Sequence, residues 1–111
     1  MAIYRIFTNS SGKSEIEELD VLTHPELSSG AATEHIFFRQ WEPGYFLDWH
    51  PAPRRQYIIS LSGLVEVGLE DGSTHTFLPG DARLVEDLTG KGHTSFVPGD
   101  EPIITAVIPL T

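Results

Sequence analysis

The sequence contains no cysteine, which excludes disulfide bonds, thiolate metal sites and cysteine nucleophiles together. Any bound metal must then rely on imidazole, carboxylate, amide or water ligands. Basic residues are also few. Seven Lys and Arg stand against sixteen Asp and Glu, a formal charge of −9. A surface this acidic repels a phosphate backbone and an anionic bilayer, so neither nucleic acid nor membrane is an expected partner. No apolar run approaches the roughly 20 residues that a helix needs to span a bilayer. The segment Met1-Ala2-Ile3-Tyr4-Arg5-Ile6-Phe7 lacks the basic head, long apolar stretch and small-residue cleavage site of a secretory signal, and a cytoplasmic location is the expectation. Covalent hydrolysis is not expected either, because no nucleophile-elbow signature occurs.

What the sequence has is strand signal. Its 111 residues, 40% of them hydrophobic, suit one domain with a real core, a barrel of about residues 33–110 preceded by an extension, 1–32. Within the extension, Ser14 to Leu22 has a capping serine and apolar residues near helical spacing. It stops before His24-Pro25, so one short turn of helix is the most it predicts. Residues Ser28 to Ala32 read as a loop. From Thr33 the pattern is strand, turn, strand: Thr33–Trp41, Tyr45–His50, Gln56–Leu61, Leu64–Leu69, Thr74–Leu78, Arg83–Glu86, His93–Val97 and Ile103–Leu110. The breaks fall at Glu42-Pro43-Gly44, Pro51-Ala52-Pro53, Ser62-Gly63, Asp71-Gly72 and Pro79-Gly80-Asp81. Many short strands with Gly/Pro punctuation predict an all-β sandwich or jelly-roll barrel. Tyr57-Ile58-Ile59 and Ile103 to Ile108 are apolar on both faces, which predicts that one face fills the barrel and the other meets a second sheet or subunit; a homodimer is expected.

The residues that carry chemistry cluster in two stretches. Period-two alternation places Asp48 and His50 on one face, and Gln56, Ile58 and Ser60 on one face of the next strand. A second stretch, Leu88-Thr89-Gly90-Lys91-Gly92-His93, delivers another histidine after a glycine-rich turn. Gly90-Lys91-Gly92 lacks the longer frame of a phosphate loop. His24, His35 and His75 read as surface or packing residues, and Trp41, Trp49 and Tyr57 as core or interface aromatics. Arg54-Arg55 reads as a solvated turn pair or, at the mouth of a barrel, as a contact for a substrate carboxylate. Glu86-Asp87 reads as a charged loop or as the source of a ligand or general base, with Glu86 the residue favoured.

Gly44, five residues, His50, one residue, Ala52, three residues, Gln56, six residues and Gly63 fit without a gap the frame of the first cupin motif, G-x5-H-x-H-x3,4-E-x6-G. Leu88, Gly90, His93 and Val97 fit the spacing of the second, P-x-G-x2-H-x3-N. On these motifs the chain resembles the cupin superfamily over about residues 33–110. The resemblance implies a double-stranded β-helix with His50, Gln56 and His93 at ligand positions. It implies a divalent transition metal (Fe, Zn, Ni or Mn), no organic cofactor, and a small polar molecule or organic acid as substrate. The departures are Ala52 for the second histidine, Gln56 for the glutamate, and Leu88 and Val97 for the proline and asparagine. Glu86 and Asp48 are the candidates for the missing carboxylate. Metal-assisted oxygenation or isomerisation, metal-free proton shuttling by His50 or His93 with Glu86 or Asp48 setting the tautomer, and non-catalytic binding or sensing all stay open at this stage.

Overall fold

The computed structural model describes residues 1–111. Ten strands and one helical turn follow in the order β1 (Ile3–Thr8), β2 (Ser14–Leu19), α1 (Glu26–Ser29), β3 (Phe37–Trp41), β4 (Phe46–His50), β5 (Gln56–Ser62), β6 (Val65–Gly68), β7 (Thr74–Phe77), β8 (Ala82–Glu86), β9 (His93–Phe96) and β10 (Ile103–Pro109). They form a six-stranded sheet, β2-β1-β8-β5-β10-β3, and a four-stranded sheet, β4-β9-β6-β7. All eight strands expected after residue 33 are present, most of them ending at a glycine or proline turn; the first begins at Phe37 and not at Thr33, which makes only an isolated bridge to Leu110. No helix is long and apolar enough to cross a membrane.

The N-terminal segment departs from the reading of an extension with a helical turn at Ser14. It adds two strands to the larger sheet: β1 runs parallel to β8, pairing Ile6 with Val85, and β2 pairs antiparallel with β1. The hairpin between them is closed by Asn9, whose side-chain oxygen accepts hydrogen bonds from the backbone N–H groups of Ser11 and Lys13. Ile16 and Leu19, three apart, suggest a helix. Pairing with β1 outweighs that weak local preference, and β2 remains a short, glutamate-rich edge strand. The helical turn lies farther on, at Glu26–Ser29.

Inward-facing side chains of both sheets form the core: Ile6, Val65, Phe77, Val97 and Val107 are fully buried, with Ile58, Val67, Val85 and Ile103 packed on them. Outside, the face of β3, β10 and β5 remains apolar, with Phe38 at 66% and Leu61 at 49% exposure. One end of the space between the sheets is not filled. It is a cavity of about 290 Å³ lined from β3, β4, β5, β6, β8 and β9.

Candidate functional site

Two histidines face each other across a strand pair at the cavity. β4 pairs with β9 through Phe46–Phe96, Leu47–Ser95 and His50–His93, with a shift of register between Leu47 and His50. Two residues of β4 therefore stand opposite one of β9, a β-bulge that breaks strict alternation. Leu47 and His50 both line the cavity. Asp48, expected on the face of His50, is turned outward, where its carboxylate accepts the Trp49 N–H at 2.9 Å. Gly92, with φ +81°, allows the close approach of the two strands, because a Cβ there would overlap the His50 carbonyl oxygen.

The two imidazole rings lie 4.5 Å apart, centroid to centroid, at 60°. Each ring is held through Nδ1. His50 Nδ1–H donates to the Asp48 carbonyl at 2.7 Å. His93, 5% exposed, donates Nδ1–H to Asp87 Oδ2 at 2.6 Å, and the same oxygen accepts the Ser14 hydroxyl. A carbonyl or carboxylate oxygen only accepts, so Nδ1 of each ring carries a proton, and Nε2 is the nitrogen left free of a protein partner. Burial, and after it the neighbouring charge of His93, holds the His50 pKa below its ordinary value against the hydrogen bond to Asp48, which raises it. His50 is neutral at pH 7.

Strand parity decides what else enters. On β8, Arg83 and Val85 line the cavity, and Asp87 continues on their side. Leu84 and Glu86 face the other way. Glu86, expected beside the histidines, is instead on the outer face, where its two oxygens accept from Arg5 Nε and Arg55 Nε, while Arg5 also bridges to Glu17. Its neighbour Asp87, fully buried, is the carboxylate that orients His93. Gln56 does reach the cavity; it is 2% exposed and its Oε1 has no hydrogen-bond partner. Ala52 is also on the wall, its N–H held by the Asp87 carbonyl at 2.9 Å.

Two residues that sequence reading passes over complete the wall, Arg39 on β3 and Arg83 on β8. The pair singled out in the sequence is elsewhere: Arg55 is spent on Glu86, and Arg54 lines a separate surface recess with His35. The remaining histidines pack or cap, His35 stacked on Phe37, His75 between Tyr4 and Phe77, and His24 on the Asp20 carbonyl.

The motif resemblance calls for a divalent metal at His50, Gln56 and His93. These three residues do share one cavity, but the donor set does not fit a resident metal. It consists of two imidazoles and a neutral amide, with Ala52 unable to ligate and Glu86 facing out. No three His, Asp or Glu side chains converge anywhere in the chain. A dication would also face the guanidinium groups of Arg39 and Arg83 with no carboxylate on the cavity wall to offset them.

No protein-family model matches the chain, and no curated protein matches it. Solved structures do. A cupin 2 conserved barrel domain protein from Salinispora arenicola is 20% identical over 68% of this chain and 61% of its own, with a TM-score of 0.55. A protein with a double-stranded β-helix domain from Klebsiella pneumoniae is 21% identical over 68% of this chain and 64% of its own, at 0.54. A sugar phosphate isomerase from a cupin superfamily, from Silicibacter pomeroyi, is 16% identical over 91% of this chain and 60% of its own, at 0.56. The chain spans less than two thirds of the length of each. Two opposed sheets of short strands, a histidine from each motif meeting across β4 and β9, and these likenesses lead to one assignment: the chain has the cupin fold, an all-β double-stranded β-helix.

Proposed function

We propose that the chain is a metal-free proton-transfer catalyst of the isomerase type, acting on a small polar molecule in the cavity between its sheets. The observation that carries this reading is the buried chain Ser14–Asp87–His93, which ends on an imidazole open to the cavity. Asp87 fixes the tautomer of His93 and stabilises the imidazolium that forms when Nε2 accepts a proton. The electron pair left on the substrate carbon moves to the neighbouring carbonyl oxygen; His93 then returns the proton to the former carbonyl carbon, while the hydroxyl on the first carbon passes its proton to that oxygen and becomes the new carbonyl. His50, neutral at pH 7, accepts a hydrogen bond from a substrate hydroxyl and sets its orientation. That the Silicibacter pomeroyi structure is a sugar phosphate isomerase supports the reaction class. The reading includes a homodimer formed through the apolar outer face of β3, β10 and β5, checked by the mass in solution.

The test is exchange of carbon-bound protons in D2O, followed by NMR, over a panel of small hydroxy and keto acids and sugar phosphates. Wild type exchanges at least one member, and His93→Gln slows that exchange by about two to four orders of magnitude, the range of general acid–base catalysis. A compound that binds in the cavity while no panel member exchanges would replace this reading with that of a binding or sensing domain.

A further inference from the structure

The cavity has a charge opposite to that of the molecule. Sixteen acids give the chain a net −9, yet no Asp or Glu lines the cavity, and two arginines do. Arg83 is 6% exposed. Its guanidinium carries five N–H donors and makes one long contact, 3.4 Å from Nη1 to the Ser60 hydroxyl, while its carbon lies 4.8 Å from the centre of the Phe77 ring. Asp81, the acid whose charge it feels, has both carboxylate oxygens engaged by the backbone N–H groups of Ala2 and Leu78. Arg39 is half-buried between the Phe37 and Trp41 rings and has no carboxylate partner either.

A cation this deep in the protein with no carboxylate beside it is costly; the Arg83 nitrogens that lack a protein partner are not sealed off, so they open on the cavity. This chain shows what a structural arginine looks like in its own hands: Arg5 and Arg55 are each paired with Glu86. Burial and the charge of Arg39 push the Arg83 pKa down to about 10, so it remains charged at neutral pH. The two guanidiniums repel each other across a space of about 290 Å³, on the order of ten water volumes. An anionic group between them would satisfy the open donors and cancel the repulsion.

We propose that the cavity is an oxyanion site, in which Arg83, assisted by Arg39, binds the carboxylate or phosphate group of a small organic anion. This names the substrate class for the reaction proposed above, and as a binding site it stands apart from the proton transfer. Guanidinium matches both head groups, through two parallel N–H···O bonds. Gln56 also lines the cavity, but its unpartnered Oε1 is sealed from it, so the binding rests on the two arginines.

Calorimetric titration with three probes of one skeleton tests the site: glycerate, glycerol 2-phosphate and glycerol. One or both anions bind one to one, and glycerol does not; which anion binds tells carboxylate from phosphate. Arg83→Gln and, separately, Arg39→Gln weaken the binding by about tenfold to a hundredfold, the loss of charge-assisted hydrogen bonds, with the larger loss at Arg83. Arg83→Lys restores part of it. Anion affinity is read by calorimetry and proton exchange by NMR on the same wild-type protein, so a cavity that binds the anion without exchanging a proton, or exchanges without binding it, keeps failure of one reading from passing for failure of the other. Glycerol binding as well as the anions, or anion affinity unchanged in folded Arg83→Gln and Arg39→Gln, overturns the proposal.

Discussion

Strand β8 separates two ways of handling charge. Its outward side chain Glu86 joins Arg5 and Arg55 in a network that also takes in Glu17. Its inward side chain Arg83 is more deeply buried than any of these, and no acid meets it. Three residues apart on one strand, the outer ion pairs are complete within the chain, and the inner cation is incomplete without something the chain does not supply. The difference separates structure from function. A closed network holds β1, β2 and β8 together, whereas the inner arginine leaves open the donors that the proposed anion would take.

The comparison can be broken most forcefully at Asp87. Asp87→Ala strips the buried His93 and Ser14 of their common acceptor and should cost about 3 kcal/mol in chemical denaturation, the scale of breaking a buried pair. A loss of less than a few tenths would mean that Asp87 is no anchor.

Next come two changes of opposite sign. Arg83→Met should raise the stability of the ligand-free protein by about 1 kcal/mol, because an unpaired buried charge gives way to apolar volume. Glu86→Gln should lower it by about 1 kcal/mol, since both arginine partners are partly exposed. If both destabilise equally, the inner and outer arginines are doing the same structural task.

The smallest effect is in pH. Burial raises the Glu86 pKa, but the hydrogen bonds and charges of Arg5 and Arg55 overcome it, so it lies below its ordinary value. Folded-state pKa values below the unfolded ones stabilise above the unfolded values, and that stability is lost as pH falls. Stability should therefore decline in two stages, from about pH 6.5 downward through His50 and from about pH 4.5 downward through Glu86. Denaturation midpoints across this range should lose the upper stage in His50→Gln and the lower one in Glu86→Gln.

The eight strands after residue 33 are legible because Gly and Pro punctuate them and branched or aromatic residues fill them. His50 and His93 are legible because each follows a glycine at fixed spacing. β1 and β2 are not, since β2 owes its form to a partner strand and its glutamates mask the alternation. Asp48 is misread because a bulge cannot be seen in a period-two pattern. Glu86 is misread for the opposite reason: parity does hold on β8, and counting from Val85 would have chosen Asp87. Arg83 goes unnoticed because a single arginine on a strand looks like a solvent-facing residue until its side of β8 is shown to line the cavity.

Ala52 has a consequence for how this barrel relates to others of its architecture. It stands on the cavity wall, 4% exposed, with its backbone fixed to Asp87 and only a methyl group projecting. Ala52→His together with Gln56→Glu would add one imidazole and one negative charge to the two histidines already there, the donor set of a transition-metal centre. Ligand set and charge are thus carried by different residues of one wall: Ala52 and Gln56 decide which donors the interior offers, while Arg39 and Arg83 keep it positive, so the first can change without the second and without any strand having to move.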